Sequence, residues 1–293
     1  VLGVAENKVI LDEILDYMRE EKISAYDEEL HKGLVRHVLI RYGFTTKEIM
    51  VCLIINGDKL PHSEKLVEKL IKIPGMTSIT YNINKEKTNV IMGSKVCPLW
   101  GQTYITDYIG NVKYQISPLS FYQVNPVQTE LLYGKAVELA GLTGKERVID
   151  AYCGIGTIGL IASDGAAETL GIELNPDAVR DAIRNAKVNG VKNIRFYQAD
   201  AGAYMVQMAE QGGHADVVFM DPPRAGSDEA FLSSAVKLAP KRIVYVSCNP
   251  ETLARDVKYL TKHGYEAKEC RSFDMFPFTR HVECMVAMSR KTE

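Results

Sequence analysis

The sequence contains no apolar run approaching the ~18 residues that a membrane helix needs. Its first residues, VLGVAENKVILDE, carry acidic side chains where a signal peptide would carry basic ones. Its six cysteines include no CxxC pair, which argues against a zinc knuckle or a disulfide framework. We therefore expect reduced thiols, no bound metal, no membrane segment and a cytoplasmic location.

The chain also lacks an excess of charge of one sign. Its 35 Lys and Arg residues face 37 Asp and Glu residues, which gives a net charge of -2 at pH 7. The balance holds on both sides of residue 115, so neither half has the basic composition typical of a nucleic-acid binder. A local basic patch on a neutral domain remains compatible with RNA or DNA binding. The length of 293 residues indicates roughly two domains.

Residues 1–115 are predicted to form a small α+β domain built largely on antiparallel strands. Helical spacing of apolar residues predicts one helix within 4–23 and another within 63–73. Gly110-Asn111 predicts a hairpin turn between the last two strands. Runs rich in β-branched residues predict the strands at 34–41, 49–55, 78–83, 89–92, 104–108 and 112–116.

Residues 116–293 show a different pattern, in which strands and helices alternate. Such alternation predicts an α/β fold with a doubly wound, mostly parallel sheet and helices on both faces. The predicted strands are 148–151, 169–173, 194–198, 217–220, 243–247, 267–273 and 283–288. The predicted helices are 126–140, a segment after Thr157, 176–189, 203–210, 229–238 and 251–263.

A glycine-rich turn connects the first strand of this sheet to the following helix. Gly154 and Gly156 allow backbone N–H groups to approach a ligand at the switch point of the sheet. The turn is compatible with NAD, a flavin, S-adenosylmethionine or a tight turn without a ligand. Glu173, at the end of the second strand, stands where a carboxylate binds a ribose diol in both dinucleotide and adenosylmethionine sites.

Two further strand ends of the sheet carry reactive residue types. Asp221 ends the fourth strand and faces the predicted crevice, although an exposed helix-start Asp is the alternative. Cys248 lies between the fifth strand and a helix N-terminus, where the helix dipole favours the thiolate. Cys153 is the competing nucleophile, and we expect it to be a packing residue.

These motifs together resemble the RNA uracil-5-methyltransferase family. The resemblance covers the whole chain in order and is most specific over 117–293, which implies a Rossmann-like, S-adenosylmethionine-dependent methyltransferase domain. The motifs that carry it are Phe121-Tyr122-Gln123-Val124-Asn125-Pro126, Asp150 to Thr157, Asp221-Pro222-Pro223-Arg224, Ser247-Cys248-Asn249-Pro250 and His281-Val282-Glu283-Cys284.

The resemblance implies a role for each matching residue. Cys248 matches the nucleophile that attacks uracil C6, and Glu283 matches the base that removes the C5 proton. The positions that match the S-adenosylmethionine-binding residues of the family are Gln123, Tyr152, Glu173 and Asp221. Thr157 stands where some relatives have Asn, and contacts of Thr157, Asp200 and His281 with a ligand are left open.

The partner implied by the resemblance is RNA, with 23S ribosomal RNA preferred over transfer RNA, and we expect a monomer. We also expect residues 1–115 to help position the RNA through a basic cluster. The members of that cluster are Lys32, Arg36, His37 and Arg41. Many family members carry an N-terminal oligonucleotide-binding barrel and iron-sulfur cysteines, and we expect any such barrel to precede Val1; Cys97 is assigned no cluster role.

Two other functions compete with this interpretation. An amino-methyltransferase would use the Asp-Pro-Pro loop to bind an exocyclic amine, but an aromatic residue should then stand where Arg224 does. That chemistry also leaves Cys248 and Glu283 without a role. A catalytically silent RNA-binding module that retains the cofactor fold is the second alternative.

Overall fold

A computed structural model describes residues 3–291. By Cα proximity the chain divides into two compact units. The first contains the residues up to Tyr108 together with Tyr114–Leu119. The second contains Ile109–Lys113 and the residues from Ser120 onward.

The first unit is organised on a four-stranded sheet with the order β1-β2-β3-β4. Helices α1 and α2 bury Ile10, Ile14 and Leu66 in the same core as the apolar side of strand β2. The elements of this part of the chain are α1 (Glu6–Glu20), β1 (Val35–Tyr42), β2 (Ile49–Ile55), α2 (Ser63–Leu70), β3 (Met76–Ile83), β4 (Lys95–Gly101) and a two-stranded sheet of β5 (Ile105–Ile109) and β6 (Val112–Ile116).

One expectation for this part of the chain is wrong. No strand forms at 89–92, and the fourth strand is β4, which contains Pro98. Strand β4 lies at the sheet edge, where a residue without an N–H is tolerated. The sheet is also mixed, because β2 and β3 are parallel. Helix α2 connects β2 to β3 and returns the chain to the end of the sheet where β2 begins. Strand β3 therefore runs parallel to β2.

The second unit contains a seven-stranded sheet with helices between its strands. Its elements are α3 (Pro126–Ala140), β7 (Arg147–Ala151), α4 (Thr157–Ala162), β8 (Glu168–Glu173), α5 (Pro176–Val188), β9 (Ile194–Gln198), α6 (Ala201–Glu210), β10 (Val217–Met220), α7 (Glu229–Lys237), β11 (Arg242–Ser247), α8 (Pro250–Lys262), β12 (Tyr265–Phe273) and β13 (Glu283–Arg290). The prediction of a doubly wound, mostly parallel sheet is confirmed.

The strand order is β12-β13-β11-β10-β7-β8-β9. Strands β11, β10, β7, β8 and β9 are parallel neighbours, and β13 is inserted antiparallel between β11 and β12. The order reverses between β7 and β10, which makes the carboxyl ends of these strands the switch point. Ligands of open α/β sheets bind at that place.

Three helices of the second unit begin with the same dipeptide, Asn-Pro. Asn125, Asn175 and Asn249 are the N-caps of α3, α5 and α8, and each side chain accepts a hydrogen bond from a backbone N–H of the first turn. Proline at the first helical position has no N–H to leave unpaired there. The sequence therefore specifies locally where each helix begins, and hence where Cys248 lies relative to α8. Within residues 3–291, none of the helices has the length and apolarity needed to cross a membrane.

Candidate active site

The register of two neighbouring strands brings Cys248 and Glu283 together. Ser247, the last residue of β11, pairs with Cys284 of the antiparallel strand β13. The next position along each chain is therefore Cys248 on one side and Glu283 on the other. Both lie at the end of the sheet where the parallel strands finish, which is also where the switch point lies.

The electrostatic surroundings of the Cys248 thiol are mixed. Burial raises the pKa of Cys248, and the neighbouring carboxylates of Glu283 and Asp221 raise it further. The Arg224 guanidinium opposes this shift through a hydrogen bond and its charge. The net pKa of Cys248 is raised, because desolvation and two carboxylates outweigh the hydrogen bond and the charge of Arg224.

Glu283 is a buried carboxylate with a relative exposure of 4%. Burial raises its pKa, and Arg224 is the group that lowers it. A carboxylate with a raised pKa accepts a proton more readily, which suits a general base. Arg224 is thus the cation shared by the predicted nucleophile and the predicted base. Sequence reasoning missed this role, although the position of Arg224 directly after Asp-Pro-Pro was the available signal.

Helix α8 holds the backbone of the Arg224 loop. The Asn249 Nδ2 donates to the Arg224 carbonyl at 3.0 Å, and the Thr252 hydroxyl donates to the same oxygen at 3.3 Å. One turn further along, Arg255 Nη2 donates to the Ala225 carbonyl at 3.0 Å. Because Cys248 directly precedes α8, one helix positions both the thiol and its cation.

A buried carboxylate, Asp256, completes this arrangement. It accepts hydrogen bonds from the Tyr245 hydroxyl at 2.7 Å, the Ser227 N–H at 2.9 Å and Arg255 Nε at 2.7 Å. Gly226 lies against it with φ +75°, and a Cβ there would stand 2.7 Å from an Asp256 oxygen. Only glycine fits this bend, which turns the loop back toward the helix.

The glycine-rich turn after β7 is held by two carboxylates. Asp150 accepts a hydrogen bond from the Gly159 N–H at 2.7 Å, and burial raises the pKa of Asp150 to about 7. Glu173 accepts from the Gly154 N–H at 3.0 Å and from the Asn175 N–H at 2.7 Å. The predicted ribose-binding carboxylate therefore lies directly beside the turn.

Gln123 and Asp221 are connected through a residue that sequence reasoning missed, Tyr133. The buried Tyr133 hydroxyl is hydrogen-bonded to the side chains of Gln123 and Thr157. Burial and the nearby Asp221 carboxylate raise the pKa of Tyr133. In turn, burial and neighbouring carboxylates raise the pKa of Asp221 to about 8. The signal for Tyr133 was its place on the buried face of α3, four residues after Thr129.

Tyr152 adopts a left-handed backbone conformation with φ +66°. Its half-buried ring packs against Phe231 with centroids 5.4 Å apart. A non-glycine residue in this conformation is unusual and commonly marks a functional turn. The structure thus places Tyr152 in the turn between Asp150 and Gly154, and the Gly154 N–H donates to Glu173.

The cofactor-binding residues predicted from the sequence fit a ligand with a diol and a cationic group. Glu173 offers a carboxylate beside the turn, and Asp221 offers a second carboxyl group, whose pKa is raised by burial and by the Glu283 and Asp150 carboxylates. A Cβ at Gly154 would meet nothing within 4 Å, so space is open above the turn. A ribose suits the first carboxylate and a sulfonium or ammonium group suits the second.

Other candidates from the sequence have structural roles. Cys153 is buried, and burial raises its pKa well above the ordinary value, which agrees with a packing residue. Asp200 is the N-cap of α6 and accepts from the Ala203 N–H. The His281 N–H donates to the Thr279 hydroxyl, and its ring lies on the exposed surface. Among residues 3–291, no group of three His, Cys, Asp or Glu side chains is arranged to hold a metal ion.

Two members of the basic cluster predicted in residues 1–115, Arg36 and Arg41, make hydrogen bonds within the protein. The Arg36 side chain has a relative exposure of 1% and donates to three backbone carbonyls within 84–88. Arg41 donates to the Pro118 carbonyl, and burial lowers its pKa. These two guanidinium groups serve internal contacts, so the structure argues against their predicted contacts with phosphate.

Comparisons with known proteins show which family the chain resembles. A family model described as tRNA (Uracil-5-)-methyltransferase matches residues 101–291. The chain is 50% identical over 287 residues to an uncharacterized RNA methyltransferase of Halalkalibacterium halodurans, covering 98% of this chain and 63% of that protein. It is 48% identical over 285 residues to one from Caldanaerobacter subterraneus, covering 97% of this chain and 63% of that protein.

Among solved structures, the Pyrococcus abyssi tRNA (uracil-54, C5)-methyltransferase in complex with S-adenosyl-L-homocysteine is similar over 94% of this chain and 65% of that chain. The TM-score is 0.81 and the sequence identity 32%. The chain spans 63% of the length of the two bacterial relatives. The resemblance seen in the motifs is confirmed, and the chain belongs to the tRNA (uracil-5-)-methyltransferase family.

Proposed function

We propose that this chain methylates C5 of a uracil in RNA with S-adenosylmethionine as the methyl donor. The observation that carries the proposal is the position of Cys248 opposite Glu283, with Arg224 acting on both groups. An amino-methyltransferase has no need for a thiol facing a buried carboxylate. The similarity to an enzyme that was solved with S-adenosyl-L-homocysteine supports the choice of cofactor.

The first task of the chain is to activate the uracil ring, whose C5 is a poor nucleophile. The Cys248 sulfur forms a bond to C6, and the electron pair of the C5–C6 double bond moves to the enolate, which makes C5 nucleophilic. The Cys248 thiol first loses its proton to solvent, and Arg224 stabilises the thiolate that attacks. S-adenosylmethionine, when bound, supplies an electrophilic methyl group.

The second task is to release the product. After C5 carries the methyl group, Glu283 removes the C5 proton, the C5–C6 double bond re-forms and the C6–sulfur bond breaks. The thiolate is restored, and the proton resides on Glu283 until it passes to solvent. The raised pKa of Glu283 favours this proton uptake.

The remaining predicted residues hold the cofactor. Glu173 would accept hydrogen bonds from the ribose hydroxyls, and Tyr152 would lie beside it in the same turn. Asp221 would face the cationic part of the ligand. Gln123, fixed by its hydrogen bond to Tyr133, would line the same crevice.

A covalent trap tests the proposal. RNA that contains 5-fluorouridine retains fluorine where Glu283 would remove a proton, so the methylated adduct cannot collapse. The wild-type chain is expected to form a gel-stable protein–RNA complex that carries label from methyl-labelled cofactor. Cys248→Ala should form none, and the matched control Cys153→Ala should form it normally. An adduct in Cys248→Ala, or its loss in Cys153→Ala alone, contradicts the assignment.

The base is tested with ordinary RNA. Glu283→Gln should attack and methylate but eliminate slowly, so a labelled covalent complex should accumulate on a denaturing gel. Rapid release of methylated RNA by this variant, with no adduct, would remove Glu283 from the role of base.

For the substrate we keep 23S ribosomal RNA as the prediction and transfer RNA as the alternative. Mapping 5-methyluridine in both RNAs from cells that lack the gene distinguishes them.

We further propose that the chain acts as a cytoplasmic monomer, in which 1–115 positions RNA and 116–293 carries out catalysis. Light scattering of the purified protein tests the monomer.

A further inference from the structure

The loop between β12 and β13 carries a fully exposed aromatic side chain. Phe278 has a relative exposure of 100% and a backbone φ of +65°. The Thr279 N–H donates to the Phe276 carbonyl at 3.2 Å and closes a four-residue turn, with Pro277 second and Phe278 third. This is the pattern of a type II turn, whose third position normally holds Gly or Asn.

Phenylalanine is unfavourable at this position for two reasons. A bulky residue in the left-handed region is strained, and a ring in solvent contributes no burial. The residues on either side of Phe278 are nevertheless held in place by packing and hydrogen bonds. Met275 is fully buried, its carbonyl accepts from Asn125 Nδ2 at 3.3 Å, and the Thr279 hydroxyl donates to the Phe276 carbonyl at 2.8 Å. The fold therefore presents the ring of Phe278 outward on a defined turn.

The residues around Phe278 indicate what the ring contacts. Thr279, Arg280 and His281 follow it in the chain and are all exposed, and Glu283 of the active site is five residues beyond Phe278. An aromatic face beside a guanidinium group is the combination that binds an unpaired base together with its phosphate. A protein or lipid partner would favour a broader apolar surface than one fully exposed ring that is followed by exposed polar residues.

We propose that Phe278 stacks on an unpaired base of the substrate RNA near the target uracil, with Arg280 contacting an adjacent phosphate. This inference rests on the proposed function and adds a residue that selects for single-stranded RNA. Stacking tolerates any base, so Phe278 contributes affinity for an open RNA segment and not for a particular sequence.

The experiment uses a fluorescent single-stranded RNA of about 12 nucleotides, within the range of single-strand site sizes, with 2-aminopurine beside a central uridine. Phe278→Gly removes the ring and suits the backbone, so binding should weaken by about 5- to 150-fold while thermal stability is kept or rises. Phe278→Trp should retain affinity and 2-aminopurine quenching. Ala239→Gly is the matched control, because Ala239 also has positive φ (+52°) and lies in the α7–β11 connection.

The phosphate contact has its own readout. Arg280→Gln should reduce the slope of log affinity against log salt concentration by about 0.7, the value for one phosphate of a single strand. Unchanged RNA affinity in Phe278→Gly, equal weakening in Ala239→Gly, or absence of RNA binding by the wild type would each overturn the stacking proposal. A preference of wild type for lipid vesicles or a protein over RNA, lost in Phe278→Gly, would also overturn it.

The covalent trap separates this inference from the proposed function. If wild type forms the Cys248 adduct but Phe278→Gly binds RNA equally well, only the stacking is refuted. If Phe278→Gly weakens RNA binding but wild type forms no adduct, the stacking inference is supported and the proposed chemistry is refuted.

Discussion

The buried carboxylate of Asp256 offers a direct test of how the site is held together. It receives hydrogen bonds from Tyr245, Ser227 and Arg255, and Ser227 belongs to the loop that carries Arg224. Replacement by alanine removes the acceptor and leaves the donors in place. We expect Asp256→Ala to destabilise the second unit and to free the loop.

The size of the effect follows from the burial of each donor. An unpaired buried donor costs roughly 1–3 kcal/mol, so the Tyr245 hydroxyl and the Ser227 N–H together predict a loss of roughly 2–6 kcal/mol. The Arg255 side chain has a relative exposure of 57%, so water rehydrates it and its lost ion pair adds little. The expected decrease in the free energy of unfolding is about 4 kcal/mol.

Urea unfolding followed by circular dichroism measures this decrease. The double variant Asp256→Ala, Tyr245→Phe removes the unpaired hydroxyl as well, and should recover roughly 1–3 kcal/mol relative to the single variant. Thr261→Val is the control, because it removes a hydrogen bond at the exposed end of α8 and should change stability by less than about 0.5 kcal/mol. A loss below about 1 kcal/mol in Asp256→Ala, or no recovery in the double variant, would refute the reasoning.

Three further predictions concern the charges of the site. Arg224→Gln should raise the pKa of Cys248, because it removes the cation that opposes the effect of burial; site-resolved alkylation against pH, with exposed Cys270 as internal reference, measures it. Glu173→Ala should weaken S-adenosylhomocysteine binding by about 5- to 150-fold in calorimetry, and unchanged affinity would remove it from the cofactor site. Burial raises the pKa of Asp221 to about 8, so the folded state binds a proton that the unfolded state has released above about pH 4. Stability should therefore fall as pH rises from about 4 to about 8, and Asp221→Asn should flatten this slope in urea melts at several pH values.

Local sequence patterns determined most of the secondary structure and the mostly parallel character of the large sheet. Helices that begin with Asn-Pro, such as those at Asn125 and Asn249, carry their start signal within a few residues, because the cap and the proline act on the first turn alone. The alternation of strands and helices likewise implies a parallel sheet without any knowledge of contacts. The prediction of a strand at 89–92 was wrong, because β-branched composition alone does not distinguish a strand from an adjacent loop.

The chemistry of the site depended on the tertiary structure. Cys248 and Glu283 are far apart in sequence, and only the insertion of β13 between β11 and β12 places them opposite each other. The motif resemblance assigned roles to both residues, but none to Arg224, whose charge acts on both. Arg224 acquires its role because α8 holds its loop beside the thiol through side-chain hydrogen bonds.

Burial decided the remaining differences between sequence and structure. Arg36 looked like a phosphate ligand because its charge is visible in the sequence, whereas its burial and its hydrogen bonds to three backbone carbonyls are not. The pKa of Cys248 is raised because desolvation and the carboxylates of Glu283 and Asp221, which come from other parts of the chain, outweigh the Arg224 guanidinium. The sequence by itself determined the elements and the reactive residue types, since these depend on short-range patterns. The tertiary structure decided which side chains meet and how each is charged, since both depend on packing between distant segments.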